Sequence, residues 1–93
     1  MYYTYVLLSV KDGLFYTGTT GDLRARLLQH TKGQVRSTAP RRPLRLIYYE
    51  ACPSPDDAYR RERFLKTGKG KRYLKNRLVS SLSEFRDDSL ERH

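Results

Sequence analysis

Cysteine is almost absent from this chain. Cys52 stands alone among 93 residues, which excludes an internal disulfide and a zinc site built from several cysteines. A reducing, cytoplasmic setting is the expectation that follows. Long apolar runs are missing as well: the opening MYYTYVLLSV has no charged leading region, and its longest aliphatic run is Val6-Leu7-Leu8. That is too little for a signal peptide or a membrane span. Acids are scarce, with ten Asp and Glu against nineteen Lys and Arg, for a formal net charge of +9. On so small a body the surplus points to a phosphate polymer as partner. No basic amphipathic helix with a broad apolar face stands out, so a membrane surface is not expected. Internal repeats and low-complexity blocks are lacking too, and a chain of this length holds one core.

What is there reads as a small α/β or α+β domain over residues 1–83, with residues 84–93 as a polar tail expected to fray. Tyr2 to Val10 and Phe15 to Thr19 are rich in aromatic and β-branched types, and Asp12-Gly13 between them signals a hairpin. A two-residue loop there sets Ser9 against Tyr16 and Leu7 against Gly18. Tyr5, Leu7, Ser9, Tyr16 and Gly18 then share one face, with Val6, Leu8, Val10 and Phe15 on the other. In the following TTGDLRARLLQHTKG, Thr19 or Thr20 can cap a helix, Asp22 sits in its first turn and Gly33 ends it. Arg26 and His30, four apart, stack along one stripe. Residues 34–43 read as an exposed loop, Leu44 to Glu50 as a strand, and Ser54-Pro55-Asp56-Asp57 as the start of a helix running to about Lys66. Thr67 to Lys71 reads as a glycine-punctuated basic loop, and Leu74, Leu78 and Leu82 mark a last helix. The predicted order is ββα-β-αα.

One acid is out of place. From Arg60 to Arg77 there are nine Lys or Arg and a single carboxylate, Glu62. Ala58, Glu62 and Leu65 fall at i, i+4 and i+7, so the glutamate lies on the apolar stripe of its helix. Such a carboxylate either pairs with Arg61, Arg63 or Lys66 at the surface, or is held inward for chemistry. Beside many cations it can hold a divalent metal while the cations hold phosphate.

Together these pieces resemble the GIY-YIG nucleases, in particular small members made of that domain alone. Tyr3-Thr4-Tyr5 stands for the first triplet and Tyr16-Thr17-Gly18 for the second. Asp22 to Leu27 with His30, and then Glu62, follow in order. The first triplet departs from Gly-Ile-Tyr at two positions, and Thr19 stands where some members carry a lysine.

The resemblance implies a central three-stranded antiparallel sheet flanked by helices, and Mg²⁺- or Mn²⁺-dependent endonuclease cleavage of DNA, including structured or damaged forms. It assigns Glu62 to the metal, Arg26 to charge on the scissile phosphate, and Tyr5 and Tyr16 to the motif tyrosines, one of which helps deprotonate or position the attacking water. His30 becomes a relay, and Asn76 a supporting polar group. Arg36, Arg41, Arg42, Lys66, Lys69, Lys71 and Arg72 are candidate nucleic-acid contacts. The rival reading is a non-catalytic nucleic-acid-binding module on the same fold. The hairpin register leaves one tension, since it puts Tyr5 opposite Thr20, roughly 13 Å along the strand from Tyr16.

Overall fold

The computed structural model describes the backbone of residues 1–91 and the side chains of residues 1–85. Three strands, β1 (Tyr2–Ser9), β2 (Phe15–Thr20) and β3 (Leu44–Cys52), form an antiparallel sheet in the order β2-β1-β3. Helix α1 (Leu23–Thr31) follows β2, and α2 (Pro55–Leu65), α3 (Gly68–Arg77) and α4 (Val79–Glu91) follow β3. The fold is the expected α+β sheet with flanking helices, with one helix more than the sequence pattern suggests. α4 carries regular backbone to Glu91, into the segment expected as a tail; Arg92 and His93 lie outside the described residues.

The β1–β2 loop corrects the predicted register. Tyr5 pairs with Gly18 and Leu7 with Tyr16, two residues away from the expected pairing. The connection is longer because Ser9 accepts the Gly13 amide at 2.8 Å through its carbonyl, and its side chain accepts the Asp12 amide. Gly13 takes the left-handed backbone at φ 73°, which closes this longer turn. Side chains alternate with period two, so a shift of two residues leaves every side chain on its expected face.

Those two faces carry different work. Val6 points to one side and packs with Leu65, Leu74, Leu78 and Leu82, all buried, against Leu8, Phe15, Ile47 and Tyr48. This is the core, and each buried leucine contributes about 2 kcal/mol of apolar transfer. A register shift between Val6 and Leu7 inserts Ile47 into β3 as an extra residue. Tyr5 and Leu7 face the other side, toward α1.

Thr67 to Lys71 is not a loop. Thr67 caps α3, its hydroxyl accepting the Gly70 amide at 3.1 Å, and Gly68 begins the helix. Gly70 is buried where α3 crosses α2: a methyl group there would meet the Phe64 carbonyl and lie 2.5 Å from Leu65 Cα. The glycine permits helix contact here, and its composition misleads. Residues 34–43 are likewise not uniformly exposed, since Val35 and Thr38 are buried and Ala39–Arg41 forms a 3-10 turn. Asp22 caps α1 itself, accepting the Ala25 amide at 3.1 Å, in place of Thr19 or Thr20.

Candidate active site

Three rings meet under α1. With Tyr5 and Tyr16 only two positions apart across the β1–β2 pair, their ring centroids lie 6.5 Å from each other. The expected separation along the strand disappears with the corrected register. His30, one turn beyond Arg26, inserts between them, at 5.6 Å from the Tyr5 ring and 5.3 Å from the Tyr16 ring, edge-on to both. Its Nε2 and the Tyr5 hydroxyl are 2.8 Å apart, and its Nδ1 and the Thr38 hydroxyl 2.7 Å. Thr38 in turn donates to the Val35 carbonyl. A hydroxyl whose proton is so used accepts from Nδ1–H, which leaves Nε2 as an acceptor for the Tyr5 phenol.

The second triplet ends in glycine for a spatial reason. A methyl at Gly18 would sit 2.5 Å from the Tyr5 hydroxyl oxygen and 2.7 Å from the carbon that bears it. Only a bare Cα leaves room for the phenol to lie across β2 and reach His30.

Arg26 adjoins both phenols while its Nη1 donates to Gln29 Oε1 at 2.9 Å. Its guanidinium lowers the Tyr5 pKa, but burial raises it more, and the charges of Tyr16 and Glu62 add to the rise. Tyr5 is therefore a protonated phenol at neutral pH. Burial and the Arg26 charge both push His30 below its ordinary value, so the imidazole is neutral.

Glu62 approaches from the opposite side of the sheet, at the β2 edge. Ala58 and Leu65 on its stripe are buried, as the spacing predicts, and the Ala58 carbonyl accepts the Thr4 hydroxyl at 2.9 Å. Its carboxylate is one-fifth exposed: Oε1 accepts from the Thr19 hydroxyl at 2.6 Å and Oε2 from Lys66 Nζ at 2.8 Å. Burial raises its pKa, yet the Lys66 and Thr19 hydrogen bonds and the charges of Lys66 and Arg63 outweigh it and hold the group ionised. The glutamate is drawn partly inward and pairs with Lys66, one of the partners the sequence offered.

Among the described residues no cluster of three or more His, Cys, Asp or Glu side chains could cage a metal. A hard divalent ion such as Mg²⁺ takes one or two carboxylates and fills its remaining positions with water and phosphate oxygens. One ionised carboxylate at the edge of a basic surface fits that donor set.

The remaining candidates divide. Arg41 is tied down, its Nε 2.8 Å from Asp12 Oδ2 and its Nη2 donating to the Leu14 and Phe15 carbonyls, and it holds the Asp12 carboxyl down at about 2. Arg42 donates to the Ala39 carbonyl and packs its guanidinium over Gly33. Lys66 pairs with Glu62. Arg36, Lys69, Lys71 and Arg72 are exposed. Asn76 is exposed on α3, two residues beyond buried Leu74 and so turned away from it; the fold does not bring it to the ring cluster. Thr38, which bonds His30, is a contact the sequence did not single out, and Thr19, marked there as a possible cap and a departure from the family pattern, bonds Glu62. Thr17 and Thr19 alternate on the Glu62 side of β2, a pattern that marks Thr19; nothing in the sequence of residues 34–43 marks Thr38.

Sheet order, helix placement and the ring cluster together define an α+β domain that sets phenols and a guanidinium beside α1 and an acid at the sheet edge. The family model described as "GIY-YIG catalytic domain" matches residues 1–77. The chain belongs to the GIY-YIG family. It is similar to a UPF0213 protein of Staphylococcus saprophyticus, 36% identical over 75 residues that cover 80% of this chain and 90% of the relative. A UPF0213 protein of Lacticaseibacillus paracasei is 47% identical over 58 residues, 61% of this chain and 64% of that one. Among solved structures, the solution NMR structure of the UPF0213 protein BH0048 from Bacillus halodurans shares 37% identity, covers 80% of this chain and 82% of its own, and superposes with a TM-score of 0.50. Membership supports a nuclease-like role with nucleic acid, DNA foremost, as substrate, and nucleases of the family are generally divalent-metal dependent. Among the described residues no helix is long and apolar enough to cross a membrane.

Proposed function

We propose that the chain is a Mg²⁺- or Mn²⁺-dependent endonuclease that hydrolyses phosphodiester bonds in DNA, including branched, nicked or damaged forms. The observation that carries this reading is the 2.8 Å contact between the Tyr5 hydroxyl and a neutral, buried His30, with Arg26 alongside. A protonated phenol cannot take a proton from water unless it gives up its own. His30 Nε2 is placed to receive it, so one proton passes from water to Tyr5 as another passes from Tyr5 to His30. Thr38 fixes the tautomer that makes this transfer workable. Tyr16 closes the other side of the imidazole and helps orient the water.

Arg26 faces the position where the attacked phosphate gathers charge, and its planar fork engages two phosphate oxygens at once. Glu62 holds the metal, which supplies charge stabilisation for the leaving oxygen when bound. Lys66 keeps the carboxylate ionised and aimed until then, and Thr19 fixes its orientation. Arg36, Lys69, Lys71 and Arg72 are the exposed cations that support backbone contact with DNA.

The test is cleavage by wild type and Glu62→Ala of linear, supercoiled, nicked, branched and single-stranded DNA, and of RNA, with Mg²⁺, Mn²⁺ or EDTA. Metal-dependent cutting by wild type, reduced at least a hundredfold in the variant, is expected if Glu62 carries charge stabilisation worth several kcal/mol. Binding in EDTA should persist or tighten in Glu62→Ala, because an acid has been removed from a basic surface. Intact, salt-sensitive binding with no cutting by either protein would instead establish the non-catalytic binding module.

A further inference from the structure

Beside the ring cluster, α1 also borders an open cavity. At about 100° per residue, Leu23 and Leu27 run beside the Arg26–His30 stripe, with Leu23 about 20° from His30, and Arg24 lies about 100° further round from Leu23. Leu23, Leu27 and Arg24, with Tyr3, Tyr49 and Asp22, line this cavity of about 510 Å³. Tyr49 lies directly across the β1–β3 pair from Tyr5, yet it is 54% exposed where Tyr5 is 1%. The Tyr3 and Tyr49 rings are 6.2 Å apart and tilted by 58°, so they do not cover each other's faces as a stacked pair would. Asp22 Oδ1 is occupied by the Ala25 amide, while no hydrogen bond to Oδ2 is made among the described residues. Arg24 is exposed and without an ion pair among them.

We propose that this cavity is a subsite for one unpaired nucleobase, seated on Tyr49 while a phosphate of the same strand enters the adjoining ring cluster. The inference rests on the nuclease reading above. The occupant follows from chemistry: aromatic faces take a base of any sequence by stacking, a free carboxylate oxygen accepts from an exocyclic amino group, and Arg24 meets the attached phosphate. The surplus of nine positive charges favours a polyanion over a neutral ligand. Strands lie about 4.8 Å apart, so the Tyr49 ring and the Tyr5 phenol belong to neighbouring strands that one nucleic-acid strand can bridge. A base held in a duplex offers only its edge to the grooves, so the occupant has to be single-stranded, in a gap, or turned out of its stack.

The experiment is a fluorescence titration in EDTA. The probes are one DNA oligonucleotide with 2-aminopurine unpaired and the same strand with that base paired. Wild type should quench the unpaired base and bind that strand roughly tenfold or more tighter than Tyr49→Ala does, the range set by one lost base–aromatic stack. Tyr49→Phe should behave as wild type, the paired probe should bind all three proteins alike, and thermal melting of the variants should match wild type. Equal loss for paired and unpaired probes, or no loss for either, overturns the subsite. If duplex DNA is bound and cut with Mg²⁺ yet Tyr49 never affects the unpaired probe, only the subsite fails. If no nucleic acid binds at all, the nuclease reading fails with it.

Discussion

At the scale of the residue, His30 is the most constrained group in the site. It is almost fully buried, bonded at both ring nitrogens, and faced by the Arg26 guanidinium, so protonating it forces a charge into a place built for a neutral ring. Its folded pKa lies below the unfolded value near 6.5, so the unfolded chain binds the proton first as pH falls. Stability is therefore complete above about pH 6.5 and declines as pH drops through the lowered native value. Thermal melting of wild type should fall over that window, and His30→Gln should be flatter there, though less stable overall. Glu62 works lower down: its folded pKa is below 4.5, so its contribution is present above that value and is lost at more acid pH. Glu62→Gln should remove only this acid limb. As candidates, Glu62 and the Arg26–His30 pair were legible in their helical spacing, while Tyr5 and Tyr16 entered through the resemblance to the GIY-YIG nucleases. Thr38 was not legible, since its contact with His30 depends on a turn folding back over α1.

At the scale of the element, glycines show where sequence reasoning holds and where it fails. Gly18 was read correctly as part of a motif, and its reason is spatial: Gly18→Ala should push the Tyr5 phenol off His30 and cost about 1–3 kcal/mol, with cleavage falling more steeply than the melting temperature. Gly70 was read as a loop residue and is a helix residue. In an exposed helix, Gly→Ala stabilises by about 1 kcal/mol. Gly70→Ala should instead destabilise by about 3 kcal/mol or more, because its methyl meets the backbone of α2; urea denaturation gives the sign directly. The hairpin shows a third case. Its loop was expected two residues too short, yet the faces came out right because parity survives an even shift. The long spacing Leu74, Leu78, Leu82 was also sound, and all three are buried, although the backbone breaks into two helices at Leu78.

At the scale of the whole molecule, a surplus of charge does not mean that every cation meets the substrate. Arg41 holds the β1–β2 loop to the 3-10 turn, so Arg41→Ala should lower the melting temperature and leave the salt dependence of DNA binding unchanged. Removing Lys69, Lys71 or Arg72 should do the reverse, each making the log–log salt slope shallower by about one. The sheet order has a consequence for motion. β1 alone is bonded along both sides, so the amide hydrogens around Tyr5 should be the slowest in the chain to exchange with deuterated water, opening only when everything opens. The phenol is thus carried by the stiffest backbone available, while His30 and Arg24 ride on α1, a helix outside the sheet. Evolution or engineering could retune what the helix presents without ever loosening the seat of the hydroxyl beneath it.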